Sequence, residues 1–272
     1  MIIDGKKIAS DILAELKNRP QPKKFFGAVL VGDDLASVNF LRQKESVAKE
    51  LGIEFRLYRL PGESTTDDLR REIARLATPK TCGGCIVQLP LPENVNKYYV
   101  LNAIPKEKDV DLLSEQALGG FYTGRSKVAP PSVAAVEEIL RRTNHELREL
   151  KVILIGAGFL IGKPVGFWLQ DKVAELTVFD KHMKNIRTRL KDADVVVSGA
   201  GVKNLFSAGD LKEGALVIDF GFNQEGGKIF GDFDASSVSS RESMIQYTPT
   251  PGGTGPILVA KLFENFYALN GE

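Results

Sequence analysis

Cysteine and histidine are almost absent from this 272-residue chain: Cys82 and Cys85 form a lone CGGC, and His145 and His182 stand far apart. A zinc site on the cysteine pair would need two further ligands, and the histidines lack the paired spacing that would supply them. No metal is therefore expected. The thiols leave open a redox dithiol, against the plainer reading of two small residues at the start of a strand over 84–89. An excess of charge is also missing, with 36 basic against 35 acidic residues and a net charge of +1, so no global field recruits nucleic acid. No apolar run reaches membrane-spanning length, and the opening MIIDGKKIASDI does not read as a signal peptide. The expected setting is the cytoplasm, with neither membrane nor nucleic acid as a partner. Internal repeats and low-complexity segments are lacking too. A hydrophobic content of 43% and a charged content of 26% are those of a globular protein, and the length suits one or two domains.

What is present is organised around 151–164, KVILIGAGFLIGKP. Its β-branched apolar run suits a parallel strand buried on both faces. The run breaks at Gly156-Ala157-Gly158, with Gly162 four residues on, and Val165, Trp168 and Leu169 then recur at helical spacing. Strand, glycine turn, helix is the context in which such a fingerprint signifies a dinucleotide. The glycines permit a tight turn and let backbone amides approach a pyrophosphate at the positive end of the next helix. The spacing is GxGxxxG, looser evidence than GxGxxG, but the following strand, 175–179, ends at Asp180, where an acid would hold a ribose diol. Further strands over 193–198 and 215–219 complete a Rossmann-like, dinucleotide-binding α/β domain.

The first half also alternates. The periodicity predicts helices over 5–18, 37–51 and 67–77 and strands over 25–31, 54–60 and 84–89, the last ending in Gln88. Short links between them imply a parallel sheet, here without a phosphate-binding glycine turn. Pro130-Pro131, after the Gly-rich LGGFYTGRS, reads as a hinge, 132–142 as a crossover helix, 248–256 as a rigid loop and 257–268 as a final helix. In helix 37–51, Phe40, Leu41, Val47, Ala48 and Leu51 share one arc, with Lys44 in its middle and Ser37 beside it. Such a lysine either snorkels to water or sits desolvated in a cleft, fitted for proton transfer. The residues alone leave the two readings balanced.

Together these pieces resemble the methylenetetrahydrofolate dehydrogenase/methenyltetrahydrofolate cyclohydrolase family. The resemblance rests on VGDDLASVNFLRQKESVAKELGI, GGCIVQLPLP, PKEKDVD, IGAGFLIGKPV, VIDFGFN, GDFD and TPTPGGTGP, in the family's order across nearly the whole chain. It implies an α/β fold of two domains. The catalytic, folate-binding one would span 1–128 plus 248–272, with the C-terminal helix returning to it; the Rossmann-like NAD(P)-binding one would span 129–247. It further implies a homodimer that oxidises 5,10-methylenetetrahydrofolate to the methenyl form with NAD(P) and hydrolyses that product to 10-formyltetrahydrofolate, a step of one-carbon metabolism.

Residue by residue, the resemblance makes Lys44 the catalytic lysine, Gln88 the glutamine that orients it, and Asp111 the aspartate that holds the pterin. Ser37, Phe40 and the Pro251-Gly252-Gly253 turn would line the folate, and Gly156, Ala157, Gly158, Gly162 and Asp180 would bind the dinucleotide. The chain departs from the family pattern in places. Phe40 replaces a tyrosine, Leu112 a glycine, Pro130 a threonine, Ala157 the arginine of Gly-Arg-Ser, and Asp180-Lys181 a His-Ser. The last two favour NAD over NADP. The rival readings are a shikimate-dehydrogenase-like oxidoreductase, in which QLPLP and PGGTGP have no place, and a non-catalytic dinucleotide-binding relative.

Overall fold

A computed structural model describes residues 1–238 and 244–271. The chain forms two compact units, 10–131 with 259–272 and 1–9 with 132–258. Helix α1 (Gly5–Lys17) begins in the second of these ranges and continues in the first.

The unit of residues 10–131 carries β1 (Phe25–Val31), α2 (Leu35–Glu50), β2 (Phe55–Leu60), α3 (Thr66–Ala77), β3 (Cys82–Val87), α4 (Lys97–Leu101) and α5 (Glu115–Tyr122). Its three strands are parallel in the order β2-β1-β3. Every residue of β1 and β3 is buried, which is what an apolar run without alternation requires of a strand covered on both faces. Each helix starts at a polar cap: Asp34 accepts from the Ser37 amide, Thr65 from Asp68, Asn96 from Tyr98 and Tyr99, and Ser114 from Ala117. Strand β3 begins two residues earlier than the periodicity predicts, so Gln88 lies one residue past its end. The LGGFYTGRS stretch ahead of Pro130-Pro131 begins as helix. The Ser114 cap starts α5 ahead of it, and Gly119 and Gly120 lie inside the helix.

The other unit carries α6 (Pro131–Arg142), β4 (Lys151–Ile155), α7 (Gly162–Leu169), β5 (Glu175–Phe179), α8 (Ile186–Leu190), β6 (Val195–Ser198), β7 (Phe206–Ser207), β8 (Leu216–Asp219), β9 (Asn223–Glu225), β10 (Lys228–Phe230), β11 (Phe233–Asp234) and β12 (Gln246–Tyr247). Five strands form a parallel sheet in the order β12-β8-β6-β4-β5. The chain's N-terminus joins it: Ile2 bridges to Tyr247, and the Ile3 amide donates to the Tyr247 carbonyl at 2.8 Å. The core beside β6 and β8 is built from Val196, Val217, Phe206, Phe233 and Tyr247, with ring centroids 5.4 Å apart for Phe206–Phe233 and 5.3 Å for Phe233–Tyr247.

The last helix, α9 (Thr254–Asn270), starts three residues before the expected 257, inside the Gly-Gly-Thr-Gly-Pro run. Pro256 lies in its first turn, where a missing N–H costs nothing. Its later turns cover the three-stranded sheet: the Phe263 and Phe266 rings pack tilted against Phe26 with centroids 5.1 and 5.2 Å away. The expected return of the C-terminal helix to the first domain is therefore observed.

Candidate active site

On α2, Ser37, Leu41, Lys44 and Ala48 are the buried residues, spaced by four, three and four along one face. Lys44 does not snorkel. It is 5% exposed, and its Nζ donates to Gln88 Oε1 at 3.0 Å. The glutamine is itself held, because its Nε2 donates to the Leu89 carbonyl at 2.8 Å, and its backbone amide to Val29 at 2.9 Å. With the amide nitrogen committed, the Gln88 oxygen can face only the lysine. The Phe40 ring lies one turn earlier, its centroid 4.6 Å from Nζ.

Burial lowers the Lys44 pKa, and the facing Asp111 carboxylate opposes that shift. Asp111 is pushed up by its own desolvation and drawn back by Lys44. Burial thus disfavours the charged form of each group, and each one's charge offsets part of that for the other. Lys44, Gln88, Asp111, Phe40 and Ser37 are all brought together in this unit.

Two residues that the sequence reading missed position Asp111. Asp109 is 1% exposed, and its Oδ2 accepts from the amides of Leu113 at 3.0 Å and Ser114 at 2.7 Å. Burial pushes its pKa up to about 6. Asn265, from α9, donates through Nδ2 to the carbonyls of Val110 at 2.9 Å and Ala129 at 2.8 Å. The KDVD tetrapeptide is therefore pinned on both sides of Val110. The first aspartate of PKEKDVD was a visible signal for Asp109; nothing local marked Asn265. Leu112 takes φ 52°, a left-handed conformation that a glycine reaches without strain.

Gly156, Ala157, Gly158, Gly162 and Asp180 converge in the other unit. Gly156 has φ 93°, and its amide donates at 2.7 Å to the Phe179 carbonyl, which sets the end of β5, and so Asp180, beside the turn. A Cβ on Gly162 would collide with the Gly156 carbonyl oxygen, so only glycine lets α7 start this close to the turn. Gly158 has nothing within 4 Å of where a Cβ would stand, and Ala157 is exposed. An open glycine turn at a helix N-terminus fits a pyrophosphate. Asp180 is exposed and caps its own turn, accepting from the His182 amide at 2.9 Å. The Pro251-Gly252-Gly253 turn folds in this same unit. The Gly253 amide donates to the Pro249 carbonyl at 2.7 Å, and Gly5 packs against Gly253 with no room for a side chain.

Both cysteines are free and buried in β3, and burial raises both thiol pKa values, which leaves them inert rather than a poised dithiol. Among the described residues no cluster of three or more His, Cys, Asp or Glu side chains could hold a metal, and no helix is long and apolar enough to cross a membrane.

Residues 3–111 match the model of the tetrahydrofolate dehydrogenase/cyclohydrolase catalytic domain, and 130–271 that of the same family's NAD(P)-binding domain. The chain belongs to the tetrahydrofolate dehydrogenase/cyclohydrolase family. It is 37% identical over 276 residues to the bifunctional protein FolD of Halothermothrix orenii, covering 97% of this chain and 95% of that one. Among solved structures it resembles the bifunctional FolD of Campylobacter jejuni, at 30% identity and a TM-score of 0.92, with 99% of this chain and 98% of that one covered. The Trypanosoma brucei FolD, solved with NADP and an inhibitor, follows at 28% identity and a TM-score of 0.90, with 99% and 96% covered. Membership makes the chain a methylenetetrahydrofolate dehydrogenase and methenyltetrahydrofolate cyclohydrolase of one-carbon metabolism, with a folate substrate and NAD(P) as its redox cofactor.

Proposed function

We propose that Lys44, Gln88 and Asp111 carry the chemistry, and that Ser37, Phe40 and Pro251 to Gly253 hold the folate. The observation that carries this reading is the buried Lys44–Gln88 hydrogen bond. A neutral amine has two N–H bonds and one lone pair. Anchoring one N–H on Gln88 aims the lone pair, and desolvation raises the fraction of Lys44 that has it free. Such an amine accepts a proton from water as the water oxygen bonds to the methenyl carbon. That proton then passes to the departing nitrogen as the ring opens, and the adduct's hydroxyl proton is released to solvent as the formyl C=O forms. Asp111 keeps enough negative charge near Nζ for the ammonium that forms in between.

Phe40 supplies a flat face for an aromatic part of the folate. It offers no hydroxyl, so Lys44 and Gln88 act without the polar neighbour that a tyrosine would give. The functional division we propose assigns the folate to 1–128 with 248–272, and the dinucleotide to 129–247.

Gly156, Ala157, Gly158 and Gly162 would hold the dinucleotide pyrophosphate, and Asp180 the adenosine ribose. The bound nicotinamide supplies the hydride acceptor; this chain supplies position and exclusion of water. We propose a preference for NAD. A carboxylate at 180 accepts from a ribose diol and repels a 2′-phosphate, and Ala157 offers no cation. Arg187 already donates to the Leu205 carbonyl and lies 3.8 Å from Asp210. Lys181 and Lys184 are exposed beside the turn and are the cations that could oppose this reading. The test is kcat/KM with NAD and with NADP, in the parent and in Asp180→Ala. NAD preference that weakens in the variant supports the assignment; NADP preference unaltered by the variant refutes it.

Phe167 and Val178, exposed on α7 and the edge strand β5, support a homodimer through that side of the unit. The cytoplasm is the proposed setting.

A further inference from the structure

The motifs VIDFGFN and GDFD have no part in the chemistry above, yet they place two fully buried carboxylates side by side. Asp219, at the end of β8, is 1% exposed, and Asp232, just before β11, is 0% exposed. A Cβ on Gly231 would run into Asp219 Oδ2, and one on Gly221 into Asp232 Oδ1, so each carboxylate fills the space beside the other's neighbouring glycine. Asp219 accepts from the amides of Gly221 at 2.7 Å and Phe233 at 3.0 Å, which ties the two motifs together. Burial, with a smaller push from Asp232, raises its pKa to about 7.

Asp232 faces a different segment. Its Oδ2 accepts from Ser198 Oγ at 2.6 Å and the Ala200 amide at 2.7 Å, and its Oδ1 from the Val202 amide at 2.7 Å. These three donors span the residues that leave the C-terminal end of β6, the edge at which α/β sheets bind ligands. The same segment presses on the glycine turn. A Cβ on Gly156 would stand 2.7 Å from the Gly199 oxygen and 3.0 Å from the Ala200 nitrogen, and one on Gly199 would stand 3.0 Å from Ile161 Cγ2. The Gly199 amide meanwhile donates to the Ile155 carbonyl at 2.8 Å. The wall beside the turn, Gly199-Ala200-Gly201, is thus largely glycine backbone, and the Asp232 carboxylate takes three donors from the segment that carries it.

We propose that Asp232 is a positioning residue for the nicotinamide dinucleotide: by gathering the donors of Ser198, Ala200 and Val202 it holds the 198–202 segment against the Gly156 turn in the form that the dinucleotide packs on. The GDFD and VIDFGFN motifs then exist for cofactor affinity rather than for the chemistry at Lys44. The inference rests on the assignment of the dinucleotide to the Gly156 turn. An asparagine at 232 keeps the shape but turns an N–H₂ toward backbone and hydroxyl donors, so the segment has to shift.

The experiment compares the parent with Asp232→Asn, Ser198→Ala and Ala157→Glu. It measures KM and kcat for NAD and NADP, direct calorimetric binding of each, and dinucleotide-independent hydrolysis of methenyltetrahydrofolate. For Asp232→Asn a rise of roughly tenfold or more in dinucleotide KM and Kd is expected, with kcat lowered less and hydrolysis kept within about twofold. Ser198→Ala, which removes one donor of three, should give a smaller rise in the same direction. Ala157→Glu, which brings a carboxylate to the pyrophosphate, tests the turn itself and should also raise KM. Should Asp232→Asn fail to fold and lose both activities, Ser198→Ala decides: a raised KM with intact hydrolysis supports the proposal, and an unchanged KM overturns it. Unchanged KM in Asp232→Asn beside a raised KM in Ala157→Glu overturns the positioning role alone. Unchanged KM in Ala157→Glu overturns the turn assignment, and the inference with it.

Discussion

Replacing Asn265 by alanine removes one amide group that two backbone carbonyls depend on. The residue is 5% exposed on α9, and its Nδ2 bridges Val110 at 2.9 Å and Ala129 at 2.8 Å. A buried polar group left without its partner costs about 1–3 kcal/mol, so two carbonyls amount to roughly 2–6 kcal/mol, the lower end applying if water fills the vacated space. Val110 lies directly between Asp109 and Asp111, so the loss also frees the backbone that aims the Asp111 carboxylate at Lys44. Asn265→Ala is therefore expected to lower both unfolding stability and methenyltetrahydrofolate hydrolysis, the latter beyond what the unfolded fraction accounts for. Urea unfolding followed by far-UV circular dichroism gives the first quantity, and initial rates well below the unfolding transition give the second. A loss under about 0.5 kcal/mol, the range of an ordinary surface change, with unaltered hydrolysis would refute the reasoning.

Phe40→Tyr should raise turnover modestly, by restoring a hydroxyl beside Lys44 and Gln88; steady-state kinetics showing a loss would mean the pocket has closed around the phenyl ring. Leu112→Gly relieves a left-handed backbone worth about 1–2 kcal/mol but empties a site that is 1% exposed. A buried leucine truncated to alanine costs about 3–5 kcal/mol. The net expectation is destabilisation in chemical unfolding, and a stabilised variant would contradict it. Folding stability should also fall between about pH 4 and pH 7. Asp109 and Asp219, raised from 3.8 to about 6 and about 7, bind more protons folded than unfolded, so their contribution is complete below pH 3.8 and disappears as the pH passes those values. At 1.36 kcal/mol per pKa unit the full swings are on the order of 3 and 4 kcal/mol. His145, lowered by burial, opposes a part of this. Urea midpoints that stay level or rise over that range would show the two acids to be better solvated than their burial implies.

The glycine turn, the two parallel sheets and the arc of α2 were legible because each is a local pattern: a β-branched run, a 3.6-residue period, a glycine where a Cβ has no room. Lys44 could be singled out as anomalous, but not resolved, since a snorkelling and a buried lysine have the same sequence. The difference is made by Gln88, 44 positions away in the chain, whose oxygen faces Nζ. Helix α5 went unread because Gly119 and Gly120 interrupt its pattern, while the Ser114 cap carries a helix through them. Asn265, Asp219 and Asp232 escaped because their partners lie far away in sequence, and no periodicity marks a side chain that serves another segment's backbone. The start of α9 was displaced by Gly-Gly-Thr-Gly-Pro, a string that reads as loop but tolerates the first turn of a helix well.

The central claim is that a buried, Gln88-anchored Lys44 moves the proton in hydrolysis of the methenyl form. General acid–base catalysis of that kind contributes about 10²–10⁴-fold. The direct measurement is single-turnover hydrolysis of methenyltetrahydrofolate by purified parent and Lys44→Met, with NAD and NADP binding measured on the same samples. Hydrolysis lost by about two orders of magnitude or more, with dinucleotide binding intact, is the predicted result. A Lys44→Met protein that hydrolyses at the parent rate would contradict it and remove the lysine from the mechanism.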